Sequence, residues 1–259
     1  MSKLETLSAA DDRYPTAFTV DDFRHNVAAV RLRIDEAARR AGRLPEEVTL
    51  LPVSKTVPTE RVRIAIESGL RLLGENKVQE AVRKHGETTD LDVSWSIIGH
   101  LQTNKARDVA AFASEFQALD RLRVAEALDR RLQAAGRSLD IFVQVNTSAE
   151  DSKFGMPPED LPAFLEALPS YQSLRVRGLM TLAILTPDDQ RVRECFSLLR
   201  TLRDHAREDA PDLIGAGELS MGMSGDYEIA VEEGATCVRV GQAIFGARAL
   251  PDSYYWPEA

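Results

Sequence analysis

From residue 48 onward the chain repeats one pattern, a short apolar run followed by a longer stretch in which apolar residues return every three or four positions. The apolar runs lie at 48–53, 70–73, 93–98, 115–119, 140–145, 175–182, 218–221 and 236–240. The stretches of helical period lie at 59–68, 76–85, 104–112, 122–135, 158–168, 188–206, 227–233 and 244–249. Short apolar runs bounded by turn residues suit strands buried on both faces, and strands that alternate with helices join by right-handed crossovers into a parallel sheet. Gly69, Gly136 and Gly234 each stand just past a helical stretch, where a left-handed terminal residue is favoured. Eight such units fit a closed (β/α)8 TIM barrel of the α/β class better than an open doubly wound sheet.

Ahead of the repeat, Asp21 and Asp22 open a segment in which Phe23, Val27, Val30, Ile34 and Ala38 form one apolar stripe that ends before Gly42. This predicts an extra N-terminal helix at 21–41 that needs a partner to cover. Residues 1–20 are polar and without period, so the expected organisation is a flexible extension at 1–20, a single barrel domain at 21–250 and a tail at 251–259. No low-complexity linker interrupts 48–246, which leaves no room for a second domain.

The 259 residues carry a net charge of −9, the wrong sign for a partner such as nucleic acid or an anionic membrane, so a bound phosphate needs a local site. No apolar stretch approaches the roughly 18 residues of a membrane span, and the first residues lack a signal-peptide core, so the expected location is cytoplasmic. Cys195 and Cys237 are far apart and outside any CxxC spacing, which argues for small buried side chains rather than a disulfide framework or a thiolate metal site. His25, His85, His100 and His205 show no HxH or HExxH spacing, so no catalytic metal is expected.

In a parallel barrel the active site lies at the C-terminal ends of the strands. Here those ends carry Ser54 and Lys55, Glu75 and Asn76, His100, Asp120, Asn146 and Thr147, Thr181, Met223 and Ser224, and Arg239 to Gln242. Lys55 closes the first apolar run, and it is one of only six lysines among 32 basic residues. A desolvated lysine can attack a carbonyl to form a Schiff base; equally, a lysine at a strand end can extend its stem along the surface and leave its charge in water. The turns SMGMSG at 220–225 and RVGQAIFG at 239–246 each follow a strand and precede a helix. Glycines there let amides approach an anion, so the ends of the last two strands can form a phosphate cradle, or they are turn residues of ordinary βα loops. His100 is open to the same two readings, a ligand contact or a structural loop histidine.

Seven blocks taken together carry more. VSKT at 53–56, GENKVQE at 74–80, IGHLQTNK at 98–105, QVNTSAEDSKFG at 144–155, GLMTL at 178–182, LSMGMSGDYEIAVEEGAT at 219–236 and VRVGQAIFG at 238–246 resemble the pyridoxal phosphate homeostasis protein family. The resemblance implies a fold type III barrel similar to the N-terminal domain of alanine racemase, with pyridoxal 5'-phosphate as the cofactor at its mouth. It further implies that Lys55 forms the Schiff base and that Ser224, with the amides of Gly241 and Gln242, cradles the phosphate. Arg239 then faces the pyridine nitrogen, and Asn76 and Met221 contact the ring.

A cation beside that nitrogen disfavours its protonation and weakens the electron sink used in carbanion chemistry. The printed sequence ends at Ala259, nine residues past Leu250, so the resemblance leads us to expect none of the β domain that supplies a racemase with its second base. The expected function is therefore intracellular cofactor homeostasis without robust catalysis. In it the protein holds the cofactor as a lysine Schiff base, acts as a monomer and delivers the cofactor to apo-enzymes. The alternatives are a racemase-like pyridoxal enzyme and a phosphate-binding barrel with an aldolase-type lysine. The sequence departs from the family pattern at His100, where proline is common, and matches no block before Thr19 or after Leu250.

Overall fold

The computed structural model describes residues 14–150 and 154–247. Eight strands form one parallel sheet: β1 (Thr49–Pro52), β2 (Leu72–Glu75), β3 (Ser94–Ile97), β4 (Glu115–Leu119), β5 (Leu139–Gln144), β6 (Leu174–Met180), β7 (Glu218–Ser220) and β8 (Cys237–Val240). The helices that follow them are α2 (Thr59–Glu67), α3 (Val78–Gly86), α4 (Ala106–Phe112), α5 (Leu122–Ala135), α6 (Leu161–Ala167), α7 (Asp189–Asp209), α8 (Tyr227–Glu232) and α9 (Gln242–Phe245), while α1 (Val20–Arg40) precedes β1. The order β1-β8-β7-β6-β5-β4-β3-β2 brings the two end strands together. That last seam is closed by a single bridge, Val53 with Gly74, and by the Ser54 amide donating to the Gly74 carbonyl at 3.0 Å. The (β/α)8 barrel expected from the alternation is therefore present.

Boundaries moved where local chemistry overrode hydropathy. The second strand was expected at 70–73 and lies at Leu72–Glu75, because the Leu70 amide caps α2 by donating to the Ala65 carbonyl at 3.4 Å beside Gly69, whose φ is +116°. Helix α3 begins at Val78 rather than 76, since Lys77 is extended. Prolines turn both ends of the stretch expected at 158–168 into tight 3-10 turns, leaving α6 as Leu161–Ala167. The last helix ends at Phe245, and the expected residues 248 and 249 lie outside the described ones. Gly69, Gly136 and Gly234 all have positive φ, as their positions past helix ends required.

Helix α1 starts one residue earlier than expected because Thr19 and Asp22 form a reciprocal cap, with the Asp22 amide donating to Thr19 Oγ1 at 3.2 Å. Its stripe covers the barrel beside α8 and α9: Phe23 meets Phe245 edge-on at 5.4 Å, and Asn26 Nδ2 donates to the Ile244 carbonyl at 3.0 Å. Burying side chains such as Phe23 and Ile34 contributes roughly 1.5–3 kcal/mol each. Part of the segment assigned to the flexible extension also packs here. Ala17 is buried, its carbonyl accepts from Arg61 Nε at 2.9 Å, and the Tyr14 hydroxyl donates to the Ser224 carbonyl at 2.9 Å. Residues 1–13 and 248–259 lie outside the described residues.

The barrel interior is partly polar. Strands β4 and β7 are not neighbours in the sheet, so the bond from Ser220 Oγ to Gln117 Oε1 at 2.6 Å crosses the interior. Cys237 sits in this interior, and burial pushes its thiol up to about 12; Cys195 is buried on α7. Both thiols are therefore expected to resist an aromatic disulfide reagent at pH 8 until the protein is unfolded, and prompt reaction in the native protein would contradict the buried placement. No helix among the described residues is long and apolar enough to cross a membrane.

Candidate functional site at the barrel mouth

Lys55 leaves the barrel two residues past the bridge at Val53, on a turn closed by the Val57 amide donating to the Ser54 carbonyl at 3.0 Å. The side chain is half-buried, between the two extremes that the sequence allowed. Asn76 follows β2 and is half-buried. Its carbonyl lies so close to Gly99 that a Cβ there would stand 2.0 Å away, which explains why the loop after β3 needs glycine.

The structure brings Ser224, Gly241 and Gln242 together. The Gly241 amide donates to Ser224 Oγ at 3.2 Å, the Ala243 amide lies 3.5 Å from the same oxygen, and Gln242 opens α9. Gly222 reaches this turn with a φ of +93°, and a Cβ on it would stand 2.6 Å from that of Ala230. This cradle adjoins the lysine turn, because β8 pairs with β1 and a Cβ on Gly241 would stand 3.1 Å from the Val53 carbonyl. The cradle and the lysine turn therefore share one edge of the mouth.

Arg239 lies on β8 two residues before Gly241 and is buried. Its Nη1 donates to Ser220 Oγ at 2.6 Å and its Nη2 to the Thr181 carbonyl at 2.7 Å. Among the described residues no carboxylate pairs with it directly. Burial pulls its pKa below the ordinary guanidinium value. The carboxylates of Asp226 and Glu115 act on it through space, and a chain of neutral groups links it to the second, from Ser220 to Gln117, then from Gln117 Nε2 to Glu115 Oε1 at 2.6 Å, where Ser96 Oγ also donates at 2.5 Å. Burial pushes the Glu115 carboxyl up. Glu115 also lines a cavity of about 820 Å³ at the opposite end of the barrel, so this chain spans the interior. The sequence reading did not single out Ser96, Glu115, Gln117 or Ser220 as a group, since they come from three separated strands.

The remaining candidates divide. Met221 is wholly buried in the hydrophobic core, with its amide donating to the Cys237 carbonyl at 3.0 Å. Thr181 and Thr147 bond each other at 2.9 Å, and Asn146 Nδ2 donates to the Glu150 carbonyl at 2.9 Å, so these residues stabilise loops. His100 stacks on Phe154 with ring centroids 4.1 Å apart and lies 3.0 Å from Arg121, while burial and that arginine push its pKa down. No cluster of three or more metal-ligating side chains occurs among the described residues.

A parallel barrel carrying a lysine on the first strand end and a serine–amide cradle on the last two defines the class of the alanine racemase N-terminal barrel, and that family's sequence profile matches residues 20–249. Solved alanine racemases share the fold: that of Streptomyces lavendulae superposes with a TM-score of 0.70 at 17% identity, over 92% of this chain and 61% of the racemase. Within that class, this chain belongs to the pyridoxal phosphate homeostasis protein family. It is 46% identical to the Pseudomonas aeruginosa member over 86% of this chain and 94% of the relative, and 41% identical to the Escherichia coli K12 member over 88% and 98%. The structure of PipY from Synechococcus elongatus with pyridoxal phosphate bound superposes with a TM-score of 0.76 at 37% identity, covering 86% of this chain and all of PipY.

Proposed function

We propose that this protein binds pyridoxal 5'-phosphate at the barrel mouth and serves intracellular cofactor homeostasis, limiting free aldehyde and passing the cofactor to apo-enzymes without robust catalysis of its own. The observation that carries the reading is the shared edge of the Lys55 turn and the Ser224–Gly241 cradle, on paired strands β1 and β8. The residues fit the group. The Ser224 hydroxyl, the Gln242 amide and the Gly241 amide, once it turns from Ser224 Oγ, offer donors to a phosphate, and Arg239 offers to the ring nitrogen a cation that no carboxylate among the described residues pairs directly. Asn76 is the proposed ring contact, whereas Met221, wholly enclosed in the core, does not face the mouth.

When bound, the cofactor supplies an aldehyde that condenses with an amine, with loss of water, and an electron-withdrawing ring. The role of Lys55 is to present an unprotonated amine as the covalent anchor through a Schiff base. The role of Arg239 is to keep its own proton and discourage one on the ring nitrogen, which blunts carbanion chemistry. Support comes from the family relationship and from PipY, whose structure holds the cofactor. A single barrel acting as a monomer suffices for this role.

The test is titration of the purified protein with pyridoxal phosphate, followed by borohydride reduction and peptide mapping. A new visible band with the label on Lys55 is the expected result. Label spread over surface lysines would overturn the reading, and steady racemisation of an amino acid would overturn its non-catalytic part.

A further inference from the structure

Lys84, on α3, is completely buried, although its place between Arg83 and His85 gives it the look of a surface residue. A buried ammonium is retained only where acceptors surround it. Its Nζ donates to Glu75 Oε1 at 2.5 Å, to the Ser54 carbonyl at 2.7 Å and to Glu80 Oε1 at 2.9 Å. Ser54 Oγ donates to the same Glu75 oxygen at 2.7 Å, and the Thr56 amide donates to Glu80 Oε1 at 2.9 Å. The cluster thus grips the residue immediately before Lys55 and the residue immediately after it.

Thr56 shows why a grip is needed. Its φ is +67°, a left-handed conformation that a β-branched residue adopts only when its surroundings enforce it. The carboxylate of Glu80 enforces it from one side, and Lys84 holds Glu80 and the Ser54 carbonyl in one arrangement. Stability alone is a poor reason for such a cluster, because buried charges can commonly be replaced by apolar residues without loss, and strain at Thr56 works against folding.

We propose that Lys84, Glu75 and Glu80 form a positioning cluster that fixes the direction in which Lys55 enters the barrel mouth. The inference rests on the reading of Lys55 as the cofactor's anchor. It assigns the cluster no contact with the cofactor; the cluster acts through the backbone of Ser54 and Thr56.

The test compares Glu80→Ala and Glu80→Gln with the wild-type protein. Glu80 lies at the edge of the cluster, half-buried, so its loss leaves the core intact. Glu80→Ala is expected to weaken pyridoxal phosphate binding roughly tenfold, to slow borohydride labelling of Lys55 and to shift the pH profile of the visible band, while the melting temperature of the cofactor-free protein moves little. Glu80→Gln keeps an oxygen for the Thr56 amide and is expected to restore most of the binding and labelling. Unchanged affinity, labelling rate and band in Glu80→Ala, with Lys55 still labelled in the wild type, would overturn the positioning role alone. A fall in melting temperature with labelling unchanged would make the cluster structural. Failure to label Lys55 in the wild type would overturn the anchor reading, and the inference with it.

Discussion

Lys55→Ala is expected to abolish the visible absorption band and all borohydride-stable label at the barrel mouth, and to weaken retention of pyridoxal phosphate by at least about a hundredfold. Lys55 lies past the end of β1 on a half-buried turn outside the strand ladder, so the substitution is expected to leave the barrel folded. The Ser224–Gly241 cradle is untouched, which leaves residual, rapidly reversible binding of the phosphate. The variant should therefore no longer protect the aldehyde from hydroxylamine, although it still binds. Gel filtration with spectroscopic detection and the rate of oxime formation provide the check; full protection in the variant would mean that the anchor lies elsewhere.

Arg239→Met is expected to act on both stability and electronics. The Thr181 carbonyl loses its guanidinium donor and Ser220 Oγ loses one of two partners inside the barrel. A buried acceptor left unmatched costs about 1–3 kcal/mol, which for a chain of this size corresponds to a fall in melting temperature of about 2–6 °C. The electronic effect has a definite sign. Removing a cation from beside the ring nitrogen makes that nitrogen easier to protonate, so its titration in the bound state should move to higher pH. The pH dependence of the bound-cofactor spectrum measures this, and a shift to lower pH, or none, would show that Arg239 does not face the ring.

The architecture was readable in the sequence wherever periodicity alone decides the element. Strand β4 (Glu115–Leu119) and helix α5 (Leu122–Ala135) have the bounds expected from the apolar pattern. Strand β2 was displaced because Leu70 looks like a strand residue by hydropathy but serves the cap of α2, and because the strand continues into Glu75, whose buried carboxylate no apolar criterion includes. The Ser224–Gly241 contact was anticipated by two glycine turns at consecutive strand ends, a pattern contained within 27 residues. The chain from Arg239 to Glu115 was not, since its members lie on β8, β7 and β4, and no local spacing records that they meet. Lys84 was hidden for the same reason: only the arrival of Glu75 and the Ser54 carbonyl from two strands turns a helix-surface lysine into a buried one.

The seam between β1 and β2 gives the fold an asymmetry. On its β8 side, β1 is laddered through four residue pairs from Thr49 to Pro52; on its β2 side it is held by one bridge and the adjoining Ser54 amide. Local opening costs least where the fewest backbone bonds must break. The turn that carries Lys55 thus leaves the barrel beside one of its short seams. In the proposed role of holding a reactive cargo and then releasing it, the lysine turn leaves from a seam held by fewer backbone bonds than the β1–β8 side.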